Sequence, residues 1–134
     1  MAKTKRVTYF KTRVEDRPGA LLALAQDLKS KELGLIALKG VSQGGHGEIL
    51  VVAKNADKLR EHWNAAGILA EEGTAFLISG TDKTGALVKS LEALKEAGVN
   101  IVAIEAVAAG EKFGTVVWVD PADIEKTAQA LRVK

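Results

Sequence analysis

Asp16-Arg17-Pro18-Gly19-Ala20-Leu21 returns as Asp82-Lys83-Thr84-Gly85-Ala86-Leu87, and the offset is 82 − 16 = 66 residues. Each copy follows an apolar, strand-like run and opens a helix-like run, and that setting decides the reading. A helix start exposes backbone N–H groups that have no partner inside the helix, and the dipole there favours an anion. Proline suits a first helical position because it has no N–H to satisfy. Glycine beside it lets a ligand approach the backbone closely. The two loops therefore read as small cradles for a carboxylate or phosphate. Helix capping without any ligand competes for each loop taken singly; the repetition favours the cradle.

The pattern continues on both sides of each loop. Residues 6–14 alternate β-branched and aromatic side chains, with Phe10, Thr12 and Val14 on one face of a strand. Residues 1–5 read as a loose arm. After the first loop, Leu21, Leu24, Ala25 and Leu28 form one helical stripe. Strands at 35–41 and 48–53 flank a glycine-rich hairpin loop around His46. Asn55 can cap a second helix carrying Leu59, Trp63 and Ala66. A short closing strand is expected at 68–70. The order then restarts. A strand at 74–79 leads to a helix with Leu87, Leu91 and Leu94, followed by strands at 99–107 and 113–119. Pro121 opens a last helix with Ile124, Ala128 and Leu131. The expected class is α+β. Two tandem ferredoxin-like βαββαβ domains, residues 1–72 and 73–134, each carry an antiparallel sheet with helices on one face. The second lacks a full final strand, which leaves an edge to be covered.

Composition sets the bounds. The 134 residues fit one ordinary domain or two small ones. A domain of about 65 residues buries only ~60% of its unfolded surface, so two such units need packing partners. Net charge is +2, too small to argue for nucleic acid. There is no cysteine, which excludes disulfides, thiolate metal sites and a cysteine nucleophile. No apolar run approaches ~18 residues, so no membrane partner is expected. The basic N-terminus lacks the apolar stretch of a signal peptide, and a cytoplasmic location is the expectation.

Catalytic equipment is thin. His46 sits among glycines and His62 beside Trp63, neither with a cluster at metal-ligand spacing. Gly44-Gly45-His46-Gly47 lacks the strand-to-helix setting and the Gly-Lys-Ser/Thr ending of a phosphate loop. No catalytic residue, metal site or cofactor is expected. An RNA-recognition module shares this order of elements, and Lys112-Phe113-Gly114-Thr115-Val116 approaches its third-strand signature. Thr115 stands where a second aromatic is needed, and aromatics are only 4% of the chain. Nucleic acid is therefore disfavoured as a partner.

The two loops, together with Gly98-Val99-Asn100-Ile101, resemble the ACT domains. These are small βαββαβ modules that bind amino acids and regulate metabolic enzymes such as aspartokinase and phosphoglycerate dehydrogenase. The resemblance runs over about residues 7–131, as two consecutive domains with no catalytic domain attached. It implies a non-enzymatic, amino-acid-binding regulatory protein, a homodimer, with a metabolic enzyme as a possible regulated partner. It also implies ligand sites at interfaces between neighbouring ACT domains. By position, Asp16, Arg17, Gly19, Ala20 and Leu21 match the loop in the first half. Asp82, Lys83, Gly85, Ala86 and Leu87 match it in the second, and Asn100 and Ile101 match the strand element that completes a neighbour's site. Each half departs once from the pattern. The first has Gly34-Leu35-Ile36-Ala37 without an asparagine, and the second has Thr84 in place of proline. An α-amino acid needs donors for its carboxylate and an acceptor for its ammonium. The helix starts supply the first, and Asp16 or Asp82 the second. An assembly module without a ligand is the alternative function.

Overall fold

The computed structural model describes residues 2–81 and 83–133. In chain order it contains β1 (Lys3–Glu15), α1 (Ala20–Ser30), β2 (Leu35–Gln43), β3 (His46–Ala53), α2 (Ala56–Ala66) and β4 (Glu71–Gly80). Then follow α3 (Lys83–Glu96), β5 (Ile101–Ala109), β6 (Lys112–Val119), a 3-10 turn at Pro121–Asp123 and α4 (Ile124–Ala130). No helix among the described residues is long and apolar enough to cross a membrane.

The chain divides into two compact units. The N-terminal unit is Thr8–Gly73. Its strands run β2, β3, β1, with the start of β4 beside β1. Antiparallel pairing sets Phe10 opposite Val51 and Thr12 opposite Ile49, and sets Leu38 opposite Val51 on the outer strand. The alternation of β1 sends Phe10, Thr12 and Val14 towards α1 and α2, as the sequence indicates. Phe10, Val51, Leu59 and Trp63 are fully buried there. The Thr12 hydroxyl satisfies itself on the Ile68 carbonyl at 2.7 Å. Asn55 caps α2 by accepting from the Lys58 N–H. On α1 the buried stripe is Ala20, Leu24 and Leu28, while Leu21 and Ala25 of the expected stripe are exposed.

The C-terminal unit comprises residues 2–7 together with 74–133. Its core holds Phe76, Ile78, Leu94, Phe113, Val117 and Ala128. Here β4 pairs antiparallel with β6, and β6 with β5. No strand follows α4 among the described residues. The open sheet position is taken from the other end of the chain. Residues 3–7 of β1 belong to this unit, on the side of β4 away from β6. The expected loose arm is thus strand from Lys3 onward. Ala2 packs on the core, and Arg6 makes a two-pronged ion pair with Glu125 of α4 at 2.9 and 3.1 Å.

Two further expectations are corrected. The separate strands at 68–70 and 74–79 are replaced by one, β4, that starts at Glu71 and runs through Gly73. Gly73 does not break the strand but makes room: a Cβ there would lie 2.7 to 2.9 Å from the Tyr9 ring and hydroxyl. Pro121 opens a 3-10 turn rather than the α-helix itself, and Asp120 caps that turn by accepting from the Ala122 N–H.

Candidate ligand-binding site

The two sequence-matched loops fold differently. In the N-terminal unit Gly19 has φ 87° and stands as the N-cap of α1, so Pro18 precedes the helix instead of opening it. A left-handed φ is open to glycine at little cost. The Arg17 N–H turns back to the Glu15 carbonyl at 2.9 Å, and the Ala20 N–H to the Arg17 carbonyl at 3.3 Å. No side chain caps α1. Asp16 accepts from the Ser42 hydroxyl at 2.7 Å, which ties the loop to the end of β2. The Arg17 guanidinium pairs with Glu15 at 2.7 Å. Ala20 is buried, and Leu21 remains 44% exposed.

In the C-terminal unit Asp82 lies outside the described residues. Lys83, Thr84 and Gly85 form the first turn of α3. Ala86 is buried in the core below it. Thr84 and Leu87 line a pocket of about 190 Å³ whose other described walls are Ala106, Val107, Ala108, Phe113 and Thr115 of the β5–β6 hairpin. Thr115 is completely buried, and its hydroxyl has no hydrogen-bond partner. A buried hydroxyl left unpaired is costly, and most such groups in folded proteins are satisfied. The described lining of the pocket is mostly apolar, and it lies beside the positive end of a 14-residue helix.

Asn100 and Ile101 are not at this pocket. Gly80, at the end of β4, pairs with Phe113, whereas Ile101 pairs with Val119. Six residues of β6 separate these levels (119 − 113 = 6), ~20 Å at the usual rise per residue. The Asn100 backbone is held near the start of α4, its N–H donating to the Asp123 carboxylate at 3.2 Å. Ile101 packs on the core. Ala106, Val107, Ala108, Phe113 and Thr115 are pocket residues outside the motif. Thr115 carries a readable signal, a threonine 66 residues after the apolar Ile49, since 115 − 49 = 66.

Other polar groups are engaged within the fold. Tyr9, Lys11 and Arg13 stand on the face of β1 away from the helices. The Tyr9 hydroxyl donates to Glu71 at 2.7 Å, Lys11 lies 3.6 Å from Glu71, and Arg13 lies 3.6 Å from Glu48. Burial first, and then the Glu71 hydrogen bond, push the Tyr9 phenol well above its usual value of 10.0. Arg60 holds Glu72 in a two-pronged pair at 2.7 and 2.8 Å and reaches Asp57 at 2.7 Å. These hydrogen bonds keep the Glu72 carboxyl below its usual value. The guanidinium also sits 5.5 Å from the centre of the Phe10 ring. His62 meets Asp27 at 2.7 Å, joining α2 to α1. Among the described residues no three His, Asp or Glu side chains converge as a metal site. Phe113, which an RNA-stacking platform would need at the surface, is buried.

The chain has an ACT-like α+β fold, the fold of the regulatory subunits of aspartate kinase. It superposes on the ligand-free regulatory subunit of aspartate kinase from Thermus thermophilus with a TM-score of 0.66 and 17% identity, covering 98% of this chain and 95% of that one. A protein from Bacteroides thetaiotaomicron gives a TM-score of 0.82 at 20% identity, covering 96% and 88%. Aspartokinase III from E. coli, in its R-state complex with aspartate and ADP, gives 0.56 at 14% identity. This chain is covered to 98% there, and that enzyme to only 32%. No family model and no curated protein sequence matches the chain.

Proposed function

We propose that the protein is a non-catalytic regulator that binds a free amino acid at a helix-start loop and transmits its presence to a partner enzyme. The pocket of about 190 Å³ between the first turn of α3 and the β5–β6 hairpin carries this reading. A 14-residue helix presents its positive end to a ligand carboxylate there. In this reading Lys83, Gly85, Ala86 and Leu87 form the cradle, and Asp82 accepts from the ligand ammonium. Asp16, Arg17, Gly19, Ala20 and Leu21 are the matching loop of the first repeat. The shared fold with regulatory subunits of aspartate kinase supports a regulatory rather than a catalytic role.

Asn100 and Ile101 lie too far along β5 to join the α3 pocket of their own unit, so a homodimer would bring them to a second copy's site. The outer strands favour such association. Val102 and Val107 of β5 are 63% and 71% exposed, and Leu38 and Val41 of β2 are 41% and 44% exposed. Apolar edge strands of this kind call for a cover. Ligand binding then shifts a subunit equilibrium by the difference in affinity for its two states.

A thermal-shift screen against the twenty amino acids tests the reading. A ligand at 100 times its dissociation constant adds about 2.7 kcal/mol, a rise of several degrees for a chain of this size. One or a few amino acids should raise the midpoint. A flat screen at millimolar concentrations would leave the assembly module as the better account.

A further inference from the structure

We propose that a groove on the opposite face of α3 is a second ligand site, separate from the loop pocket. It takes a small metabolite bearing a doubly charged oxyanion, a phosphate ester or a dicarboxylate. The groove measures about 430 Å³, an ordinary size for a small-molecule site. Its described lining belongs wholly to the C-terminal unit. Ala2 and Thr4 come from the start of β1, Lys89 and Ser90 from α3, and Ala130 and Arg132 from the end of α4. Thr84 and Leu87, which line the loop pocket, lie on the other side of α3.

The charges of the groove are of one sign. Lys89 and Arg132 line it, and among the described residues no acidic side chain does. Both cations are exposed, and neither side chain has an ion-pair or hydrogen-bond partner among the described residues. For an arginine of this chain that is exceptional: Arg6, Arg13, Arg17 and Arg60 each lie within 3.6 Å of a carboxylate. A guanidinium fork matches the oxygens of a phosphate or carboxylate, and an ammonium beside it adds a second positive charge. Thr4 and Ser90, both partly exposed, bring hydroxyls that donate to the same kind of group.

The backbone of Arg132 is a separate observation. Its φ is 59°, a left-handed conformation that is costly for a residue with a Cβ. The Ile68 N–H donates to the Trp63 carbonyl, and the Val133 N–H to the Ala128 carbonyl, so the ends of α2 and α4 correspond at an offset of 133 − 68 = 65. Arg132 therefore stands where the first repeat has Gly67, whose φ is 71°. The second repeat thus puts its unpaired arginine at a position that glycine suits. Strained backbone of this kind clusters at ligand sites.

The groove also replaces a bridge. The Leu33 N–H donates to the Leu28 carbonyl and the Val99 N–H to the Leu94 carbonyl, which sets the offset along α1 and α3 at 99 − 33 = 66. Ser90 therefore holds the place of the buried Leu24, and Ala93 that of Asp27. In the first repeat Asp27 meets His62 at 2.7 Å and ties α1 to α2. In the second, Ala93 has no carboxylate to offer. Thr127, in the place of His62 since 127 − 62 = 65, donates instead to the Asp123 carbonyl at 2.7 Å, on its own side of the groove. Lys89 replaces Ala23 at the rim. A leucine and a bridging pair in one repeat become small side chains and two cations in the other.

Isothermal titration of the full chain with inorganic phosphate, glycerol 3-phosphate and malonate, at constant ionic strength, tests this. At least one should bind saturably with one site per chain, and the tighter of the last two names the group. Lys89→Ala and Arg132→Gly each install the first repeat's residue. Each should weaken binding at least ~10-fold, the scale of one charge-assisted hydrogen bond. Arg132→Gly should keep its melting temperature within a few degrees of the wild type, because the backbone there already has a conformation open to glycine. Lys95→Ala, on α3 but outside the groove's described lining, removes the same charge and should leave the affinity unchanged. No saturable binding by any of the three anions, or equal weakening by Lys95→Ala, would overturn the site. The amino-acid reading of the loop pocket stands or falls separately, on its own screen.

Discussion

At the level of single residues, the close contacts of the N-terminal unit decide what the chain tolerates. Gly73 faces the Tyr9 ring, and the Glu71 hydrogen bond fixes that ring in place. Gly73→Ala should therefore destabilise by about 1–3 kcal/mol, as overpacking does, seen as a lower urea midpoint at unchanged slope. Tyr9→Ala in the same chain should remove most of that penalty, because the two sites share one contact. Glu72 gives a pH signature. Arg60 holds its carboxyl below the usual 4.5, so the pair contributes stability above that pH and loses it as pH falls through the lower folded value. The stability gap between wild type and Glu72→Gln should narrow on acidification from pH 4.5. It stays smaller than the Gly73→Ala effect, because both side chains are about one-third exposed. Single residues were also where the sequence was hardest to read. Thr115 looks like any β-branched strand residue until its register partner is known. Pro18 reads as a helix opener until the left-handed Gly19 is seen to intervene.

At the level of elements, order and type were legible and the ends were not. The two-residue alternation in 6–14 and the helical stripes of Leu24–Leu28 and Leu59–Trp63 come from burial against a neighbour, which sequence periodicity reports directly. Lys3-Thr4-Lys5 carries no such stripe, because its long basic side chains can stay in water while the backbone pairs in a sheet. That is why β1 begins earlier than its apolar pattern. Removal of residues 2–7 should therefore damage the C-terminal unit, which loses a strand position and the Arg6–Glu125 pair. Hydrogen exchange should show β4 amides at 76–80 losing protection while β3 amides at 49–52 keep theirs. Equal protection with and without residues 2–7 would mean that the segment adds nothing to that unit.

At the level of the whole molecule, two 66-residue-offset copies of one loop accompany two cores, and the two loops fold differently. The pocket is walled by the β5–β6 hairpin as well as by α3, and a loop motif contains no information about that hairpin. A distant likeness at 14–20% identity carries the fold and leaves ligand choice to the pocket's own chemistry. The most direct test is a ¹H–¹⁵N correlation spectrum of the protein titrated with the amino acid that raises its melting temperature most. Shift changes should concentrate at Thr84, Leu87, Ala106, Val107 and Thr115, with the matching positions Leu21, Gly40, Val41 and Ile49 unmoved. Changes centred on the 16–21 loop, or none at saturating ligand, would contradict the assignment of the site to the start of α3.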